Sequence, residues 1–161
     1  MKTVTLLFPL DKENDRILLA MKKRGFGEGK LNGTGGKVQE GEIISRAAVR
    51  ETQEEIGIII REEDATLVGR LHFVFLEHPE WEFDCHVFTT DTWEGEPTES
   101  EEMTPAWHPI DAIPFERMWI DDPLWLPRVL AGEYVDAVFH FGGDGESLVR
   151  HTLNGVEHIH E

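Results

Sequence analysis

Residues 36–58 read GKVQEGEIISRAAVRETQEEIGI and contain the strongest structural signal in the chain. A glycine pair at 35–36 opens this stretch, and uncharged residues then recur every four positions up to residue 56. That period is typical of an amphipathic α-helix with one inward stripe. The stripe consists of Ile44, Ala48, Thr52 and Ile56. Gly57 follows it and is typical of a helix end, so the stretch predicts a loop, a helix over 42–56 and a second loop.

The same helix carries three glutamates whose spacing brings them together. Glu51, Glu54 and Glu55 stand at positions i, i+3 and i+4, so their side chains project from one face. Like charges at this spacing repel and weaken an isolated helix. One interpretation is a solvated acidic surface. The other is a cation site, because carboxylate oxygens suit Mg²⁺ or Mn²⁺, which bridge phosphate oxygens. The glycine pair before the helix and the neighbouring Arg50 favour the cation site.

The rest of the chain is mainly strand-like. Alternating apolar patterns predict strands in residues 4–10, 16–21, 67–76, 83–89, 137–141 and 147–153. Residues 94–105 form an acidic segment that we interpret as a loop. Asp122-Pro123 predicts the start of a second short helix, with Asp122 as the N-cap. These elements predict an α+β (mixed α/β) fold in one domain that spans residues 1–161.

Composition limits the classes of function. The 161 residues include 32 acidic and 15 basic residues, which give a formal net charge of −17 and argue against binding to a nucleic acid polymer. No apolar run is long enough to cross a membrane. The single Cys is typical of a reducing compartment, so we expect a cytoplasmic protein, and we expect a monomer. Basic residues nevertheless gather in the glycine-rich segment 22–36, where backbone can approach a ligand closely.

The spacing of Gly36, Glu42 and the run from Arg50 to Ile58 resembles the Nudix box, which defines nine positions over 23 residues (36–58). One position departs from the pattern, because Thr52 stands where an aliphatic residue is usual; we expect a softened core contact and no loss of chemistry. The similarity continues beyond the box, where it is closest to the MutT-related oxidised purine nucleoside triphosphatases. It covers residues 21–27, 32–33, 35–42, 113–115, 118–119, 121–122 and 125.

The resemblance implies a Nudix-type mixed β-sheet packed between helices and a hydrolase that cleaves a nucleoside diphosphate linked to another group. By that resemblance, Mg²⁺, with Mn²⁺ as a possible substitute, would be held by Glu51, Glu54, Glu55 and the Gly36 carbonyl. Arg50 would orient the carboxylates. A bound cation polarises phosphoryl oxygens and lowers the pKa of a bound water, and a nearby carboxylate accepts the proton. Which glutamate is the base stays open. Glu102, in the acidic segment, is a further candidate ligand or a solvated loop charge.

The resemblance also implies a pocket for a purine base. Trp119 would stack on the base, Asn32 would hydrogen-bond its edge, and Asp121 and Asp122 would read the oxidised face. Apolar walls would be formed by Phe26, Phe73, Phe75, Met103 and Trp125. The remaining assignments are Thr5 near the base or sugar and Lys22 near the phosphates.

The two adjacent aspartates have a physical reason to share a proton. Two neighbouring carboxyls flanked by tryptophans do not both ionise easily, so one can donate a hydrogen bond while the other accepts one. Oxidation changes N7 of guanine from an acceptor to a donor, and such a pair suits the oxidised base. The alternative is that Asp122 only caps the second helix and Asp121 is solvated.

The Nudix box indicates the type of reaction and says little about the substrate. Leu31 and Thr34 stand where the resembling enzymes carry aromatic residues. The resemblance therefore implies hydrolysis of oxidised purine triphosphates such as 8-oxo-dGTP to the monophosphate and pyrophosphate, a reaction that sanitises the nucleotide pool. The alternatives are an unmodified or methylated purine triphosphate, an ADP-ribose-like nucleotide, and a non-catalytic module that senses a nucleotide. The complete set of carboxylates favours catalysis.

Overall fold

The computed structural model describes all residues from Met1 to Glu161 as nine β-strands and two α-helices, joined by loops and short 3₁₀ turns. This mixture confirms the mixed α/β class. No helix has the length and apolar character that crossing a membrane requires. The elements are β1 (Lys2–Asp11), β2 (Arg16–Lys22), β3 (Leu31–Asn32), α1 (Ile44–Ile56), β4 (Thr66–Phe75), β5 (Phe83–Thr90), β6 (Met103–Pro109), α2 (Asp122–Leu130), β7 (Val135–Gly142), β8 (Ser147–Leu153) and β9 (Val156–Ile159).

The nine strands form one mixed sheet in the order β3-β2-β1-β5-β4-β7-β8-β9, with β6 paired to β2. β1 runs parallel to β5, and β4 runs parallel to β7. The segment after β3 bridges to β1 through the pairs Leu7–Thr34 and Val4–Lys37. β1 thus places the glycine pair at 35–36 directly beside the central part of the sheet.

The sheet lies between the two helices. Consecutive residues of a strand point to opposite faces, and Leu7 and Phe8 of β1 belong to two different buried clusters. The cluster around Leu7 includes Ala48 and Ile56 of α1, whereas the cluster around Phe8 includes Trp125 of α2. This arrangement matches the sheet packed between helices that the resemblance implied.

Both predicted helices and all six predicted strands are confirmed, with differences of a few residues at their ends. The predicted start of α1 was two residues early, because Glu42 precedes the helix and its carboxylate accepts hydrogen bonds from Gln39 and Arg50. Gly57 ends α1 with φ +79°, in the left-handed region that favours glycine.

Strands β3, β6 and β9 were not predicted. β6 begins inside the segment interpreted as an acidic loop, and its Pro105 and Pro109 hid it, because proline cannot donate to a strand ladder. The structure places β6 at an edge, paired only to β2. A proline is tolerated there, since a strand with one neighbour leaves half of its N–H groups outside the ladder.

Candidate active site

A cavity of about 470 Å³ opens between the glycine-rich segment and the sheet face that carries α2. Its lining brings together residues from six separate parts of the chain, which lie within 2–6, 22–37, 73–85, 119–122 and at 103 and 141. Of the residues predicted for a base pocket, ten line this cavity: Thr5, Lys22, Phe26, Asn32, Phe73, Phe75, Met103, Trp119, Asp121 and Asp122. Both glycines of the pair at 35–36 border it as well, so the pocket and the glutamate helix are neighbours.

Trp125, which was predicted as a wall of the base pocket, is not among the residues that line the cavity. It is fully buried in the core, where its ring meets the edge of Phe8 at a centroid distance of 6.1 Å. Its Nε1–H donates a hydrogen bond to Asp121 Oδ2 at 2.8 Å. The two residues are four apart at the start of α2, so one helical turn carries Trp125 behind the cavity floor. It supports Asp121 and does not face a ligand.

The apolar side of the cavity is an aromatic cluster centred on Phe26. Its ring lies 5.2 Å from Trp119 in a nearly parallel stack and contacts Trp81 edge-on at the same centroid distance. Phe75 and Phe83 complete the cluster at 5.8 and 5.5 Å. Trp81 and Phe83 are lining residues that the sequence analysis did not assign. The available signal was that Phe83 begins the strand after the one that carries Phe73 and Phe75, with Trp81 two residues before it.

Trp119 itself is held by its surroundings. Lys30 lies over its indole at 5.1 Å from the ring centroid and pairs with Glu146. Gly145 packs so closely that a Cβ there would lie 2.9 Å from the indole. A cation over an aromatic face is attracted to it, so the indole is fixed between the glycine-rich segment and the β7–β8 hairpin.

The floor of the cavity holds two buried carboxyls. Asp121 is 1% exposed and Asp122 is 2% exposed. Burial raises the pKa of Asp121 to about 6, and the pKa of Asp122 is raised well above its usual range by burial and by the charge of Asp121. Because Trp125 donates to Asp121, the negative charge belongs on Asp121 and the proton on Asp122.

Asp122 does not act as the predicted helix N-cap. α2 begins at Asp122 itself, Asp121 occupies the cap position, and no side chain makes a capping hydrogen bond. Asp122 Oδ2 is buried without a hydrogen-bond partner. A buried polar atom without a partner is costly, and a polar ligand group in the cavity can satisfy it.

The raised pKa values of Asp121 and Asp122 predict that the stability contributed by this pair falls as pH rises. An acid whose pKa is higher in the folded state keeps its proton longer there, so its contribution to the unfolding free energy is complete below the unfolded pKa and is lost as pH rises through the folded pKa. Asp122→Asn removes the ionisation while keeping the shape. We expect this variant to match wild type near pH 4 and to melt about 5 °C higher at pH 8, as measured by circular dichroism; parallel melting curves at both pH values would contradict the assignment.

The three glutamates of α1 lie beside the glycine pair at different depths. Glu55 is 4% exposed, and its Oε1 accepts the Gly35 N–H at 2.7 Å. Glu51 is half-buried and packs on Gly36, where a Cβ would lie 2.5 Å from its carboxyl carbon. Glu54 is exposed. The three carboxyls therefore differ in solvent exposure, from buried Glu55 to exposed Glu54. Their spacing along the helix did not predict this difference.

Arg50 joins the carboxylates outside the cavity. Its Nε donates to Glu42 at 2.7 Å, and its Nη1 donates to Glu51 at 2.9 Å and to Glu54 at 3.2 Å. Hydrogen bonds to these carboxylates hold the pKa of Arg50 above its usual value. The guanidinium therefore fixes the side chains of two of the three candidate ligands.

Glu55 has an unusual protonation. Burial, assisted by the charges of Glu51 and Glu102, raises its pKa to about 8, although the Gly35 N–H and Lys22 act in the opposite direction. Glu102 is exposed and pairs with Arg24 at 3.5 Å. The mutual effects show that carboxyls from α1 and from the acidic segment share one region.

The donor set fits a hard divalent cation without forming a finished coordination shell. No three acidic, His or Cys side chains already surround a common point. The Gly36 carbonyl oxygen accepts the Thr5 N–H at 2.9 Å and the Thr5 hydroxyl at 3.4 Å, and the longer contact is the one that a cation would displace. The donors are all oxygens, and a cation would offset the repulsion that raises the pKa of Glu55. The residues that could hold a cation are Glu51, Glu54 and Glu55, and Glu102 is close enough to raise the pKa values of Glu51 and Glu55 in addition to the effect of burial.

Comparison with known proteins agrees with this geometry. The NUDIX domain family matches residues 1–129, and members generally use divalent metal ions. The oxidized purine nucleoside triphosphate hydrolase of Danio rerio is 47% identical over 144 residues, which cover 89% of this chain and 90% of that protein. The mouse protein of the same name is 44% identical over 88% of each chain. The crystal structure of a MutT protein from Bacillus halodurans superposes with a TM-score of 0.82 at 26% identity, over 96% of this chain and 98% of that one.

Proposed function

Since the chain belongs to the Nudix family, we propose that it is a Mg²⁺-dependent pyrophosphohydrolase of oxidised purine nucleoside triphosphates such as 8-oxo-dGTP. The observation that carries the proposal is the floor of the cavity, where two adjacent carboxyls are buried beneath an aromatic wall and both have raised pKa values. The same cavity borders the glutamate helix. Two relatives that match most of the chain are named oxidized purine nucleoside triphosphate hydrolases.

Base recognition follows from the protonation of the floor. An 8-oxopurine carries N–H where the ordinary purine has an acceptor, and ionised Asp121 accepts from such a donor. Protonated Asp122 donates to a carbonyl oxygen of the base, and this hydrogen bond gives the unpartnered Oδ2 of Asp122 a partner. Asn32 Oδ1 accepts the Gly33 N–H at 2.8 Å, which leaves its NH₂ group for the base edge. Trp119 supplies the stacking surface.

Phosphate binding uses the lysine side chains of the cavity. Lys2, Lys22, Lys30 and Lys37 all line the cavity, although the chain as a whole carries a formal charge of −17. A concentration of lysines in one acidic protein attracts a small polyanion. We assign Lys22 to the phosphates because it is close enough to Glu55 to lower the pKa of that carboxyl.

The hydrolytic step needs carboxylates in two roles. When bound, Mg²⁺, for which Mn²⁺ is a substitute, polarises phosphoryl oxygens and acidifies a water. Glu51, Glu54 and Glu55 would hold the cation, with Glu102 and the Gly36 carbonyl as further ligands, and Arg50 orients Glu51 and Glu54. An ionised glutamate of this set accepts the water proton, and the water oxygen joins the β-phosphorus as the bond to the α-phosphate oxygen breaks. The products are the nucleoside monophosphate and pyrophosphate.

Product analysis tests the proposal. With Mg²⁺, the enzyme is expected to convert 8-oxo-dGTP to the monophosphate and pyrophosphate, with kcat/KM at least about tenfold above that for dGTP, and a chelator is expected to stop the reaction. Chromatography separates the products. Faster turnover of a methylated purine triphosphate or of ADP-ribose would contradict the proposed substrate. Tight binding of a nucleotide without turnover would contradict the proposed hydrolase activity and favour a sensing module.

We further propose that one chain is the working unit and that the Nudix domain extends over residues 1–161. One chain carries both the glutamate helix and every predicted base-pocket residue that lines the cavity. Strands β7, β8 and β9 continue the same sheet beyond the family match and contribute Phe141 to the cavity. The only Cys, Cys85, is buried and free, which suits the reducing cytoplasm.

A further inference from the structure

Two threonine hydroxyls meet in the interface between α1 and the glycine segment. Thr34, which pairs with Leu7 of β1, is 2% exposed, and Thr52, in the middle of α1, is fully buried. Their Oγ1 atoms are 2.7 Å apart. Both positions depart from the residues that the family resemblance implied, one aromatic and one aliphatic. The structure shows that the two departures face each other.

The hydroxyls form a short hydrogen-bonded chain. Thr52 Oγ1 lies 2.8 Å from the Ala48 carbonyl oxygen, and Thr34 Oγ1 lies 3.2 Å from the Leu7 carbonyl oxygen. The two hydroxyl protons therefore have three possible hydrogen bonds, and we assign them to the two shorter ones. Thr34 donates to Thr52, and Thr52 donates to the Ala48 carbonyl. Both buried hydroxyls thereby gain partners, and the chain links the glycine segment to the backbone of α1.

A second hydrogen bond crosses the same interface one helical turn away. Gly35 follows Thr34 directly and donates its N–H to Glu55, three residues after Thr52, at 2.7 Å. The backbone of Gly35 packs directly against β1, because a Cβ at this residue would overlap the Thr5 carbonyl. The glycine segment is therefore a fixed support, and α1 is attached to it at two successive points.

We propose that Thr34 and Thr52 are positioning residues that set the height of α1 against the glycine segment and so place the Glu55 carboxyl. This role rests on the proposed function, which makes Glu55 part of the hydrolytic machinery. Apolar packing is non-directional and lets a helix slide by tenths of an ångström, whereas a hydrogen bond fixes the position. Functional groups need placement within about 0.5 Å. Thr52 is thus more than a softened core contact.

Two substitutions at position 52 separate hydroxyl from shape. Thr52→Val keeps the shape and removes the hydroxyl, and we expect it to lower kcat for 8-oxo-dGTP by about five- to tenfold with KM within about twofold of wild type. Thr52→Ser keeps the hydroxyl and loses a methyl group, and it is expected to retain at least about half of kcat. Thr34→Val combined with Thr52→Val is expected to cost no more than the larger single effect, because the two act as a unit.

The matched control is Thr90→Val, which removes another buried threonine hydroxyl. Thr90 is 3% exposed, and its hydroxyl donates to the Thr92 carbonyl at 3.0 Å, at the far end of β5; we expect kcat to stay at the wild-type value. Wild-type kcat in Thr52→Val, or equal losses in the Ser and Val variants, would overturn the positioning role alone. A wild-type enzyme inactive on every triphosphate would instead overturn the proposed function and this role with it.

Discussion

Glu55→Gln is expected to lower kcat/KM for 8-oxo-dGTP by about 10²-fold or more, the scale of metal-assisted and acid–base contributions. The amide keeps the size of the side chain and can still accept the Gly35 N–H that the carboxylate accepts at 2.7 Å. It cannot ionise, so it neither attracts a cation nor accepts a proton. Steady-state kinetics with saturating Mg²⁺ measures the loss, and isothermal titration measures Mg²⁺ affinity separately.

The fold of this variant is not expected to suffer. Burial raises the pKa of Glu55 to about 8, so removing the ionisable group removes a cost of folding that grows with pH above the unfolded pKa and is complete above pH 8. We expect Glu55→Gln to melt at or above the wild-type temperature at pH 8.5 without metal. Glu13→Gln, at an exposed turn between β1 and β2, is the matched control and should keep full activity. Retained turnover in a Glu54 and Glu55 double substitution would contradict the metal assignment.

Asp121→Asn and Asp122→Asn are each expected to reduce turnover of 8-oxo-dGTP by at least about tenfold, with a smaller effect on dGTP. Asparagine cannot exchange a proton with its neighbour. In Asp121→Asn the pair loses its ionised acceptor, and in Asp122→Asn the pair can no longer move its proton between the two side chains to suit an oxidised base. A site that hydrogen-bonds a specific group discriminates strongly against analogues that lack it. The ratio of kcat/KM for the two nucleotides is the measurement.

Trp125→Phe refines the same prediction. It keeps an aromatic ring in the core and removes the N–H that donates to Asp121 at 2.8 Å. Without that donor, the charge is no longer directed to Asp121, and we expect the preference for the oxidised base to weaken while turnover of dGTP stays similar. Asp111→Asn, at an exposed position in a 3₁₀ turn, controls for loss of charge. Wild-type kinetics in both Asp121→Asn and Asp122→Asn would remove the recognition role.

Local patterns in the sequence predicted α1 well because a helix has a fixed period. The stripe from Ile44 to Ile56 is buried or partly buried as predicted, and Gly57 ends the helix. Prolines hid β6, because their cost depends on whether a strand lies at an edge, which is a property of the sheet. Asp122 had the form of an N-cap, yet the direction in which α2 enters the core turned it into the cavity instead.

The sequence by itself determined the class of fold, the helix that carries Glu51, Glu54 and Glu55, and the closeness of Arg50 to them, since all of these depend on spacings within a few residues. Tertiary structure alone decided that Glu55 is buried, that Trp125 lies behind the floor, and that Thr34 meets Thr52. Burial and pKa depend on atoms supplied by distant segments, here β1, the glycine-rich segment and α2. No spacing along the chain contains those distances, because folding brings the segments together.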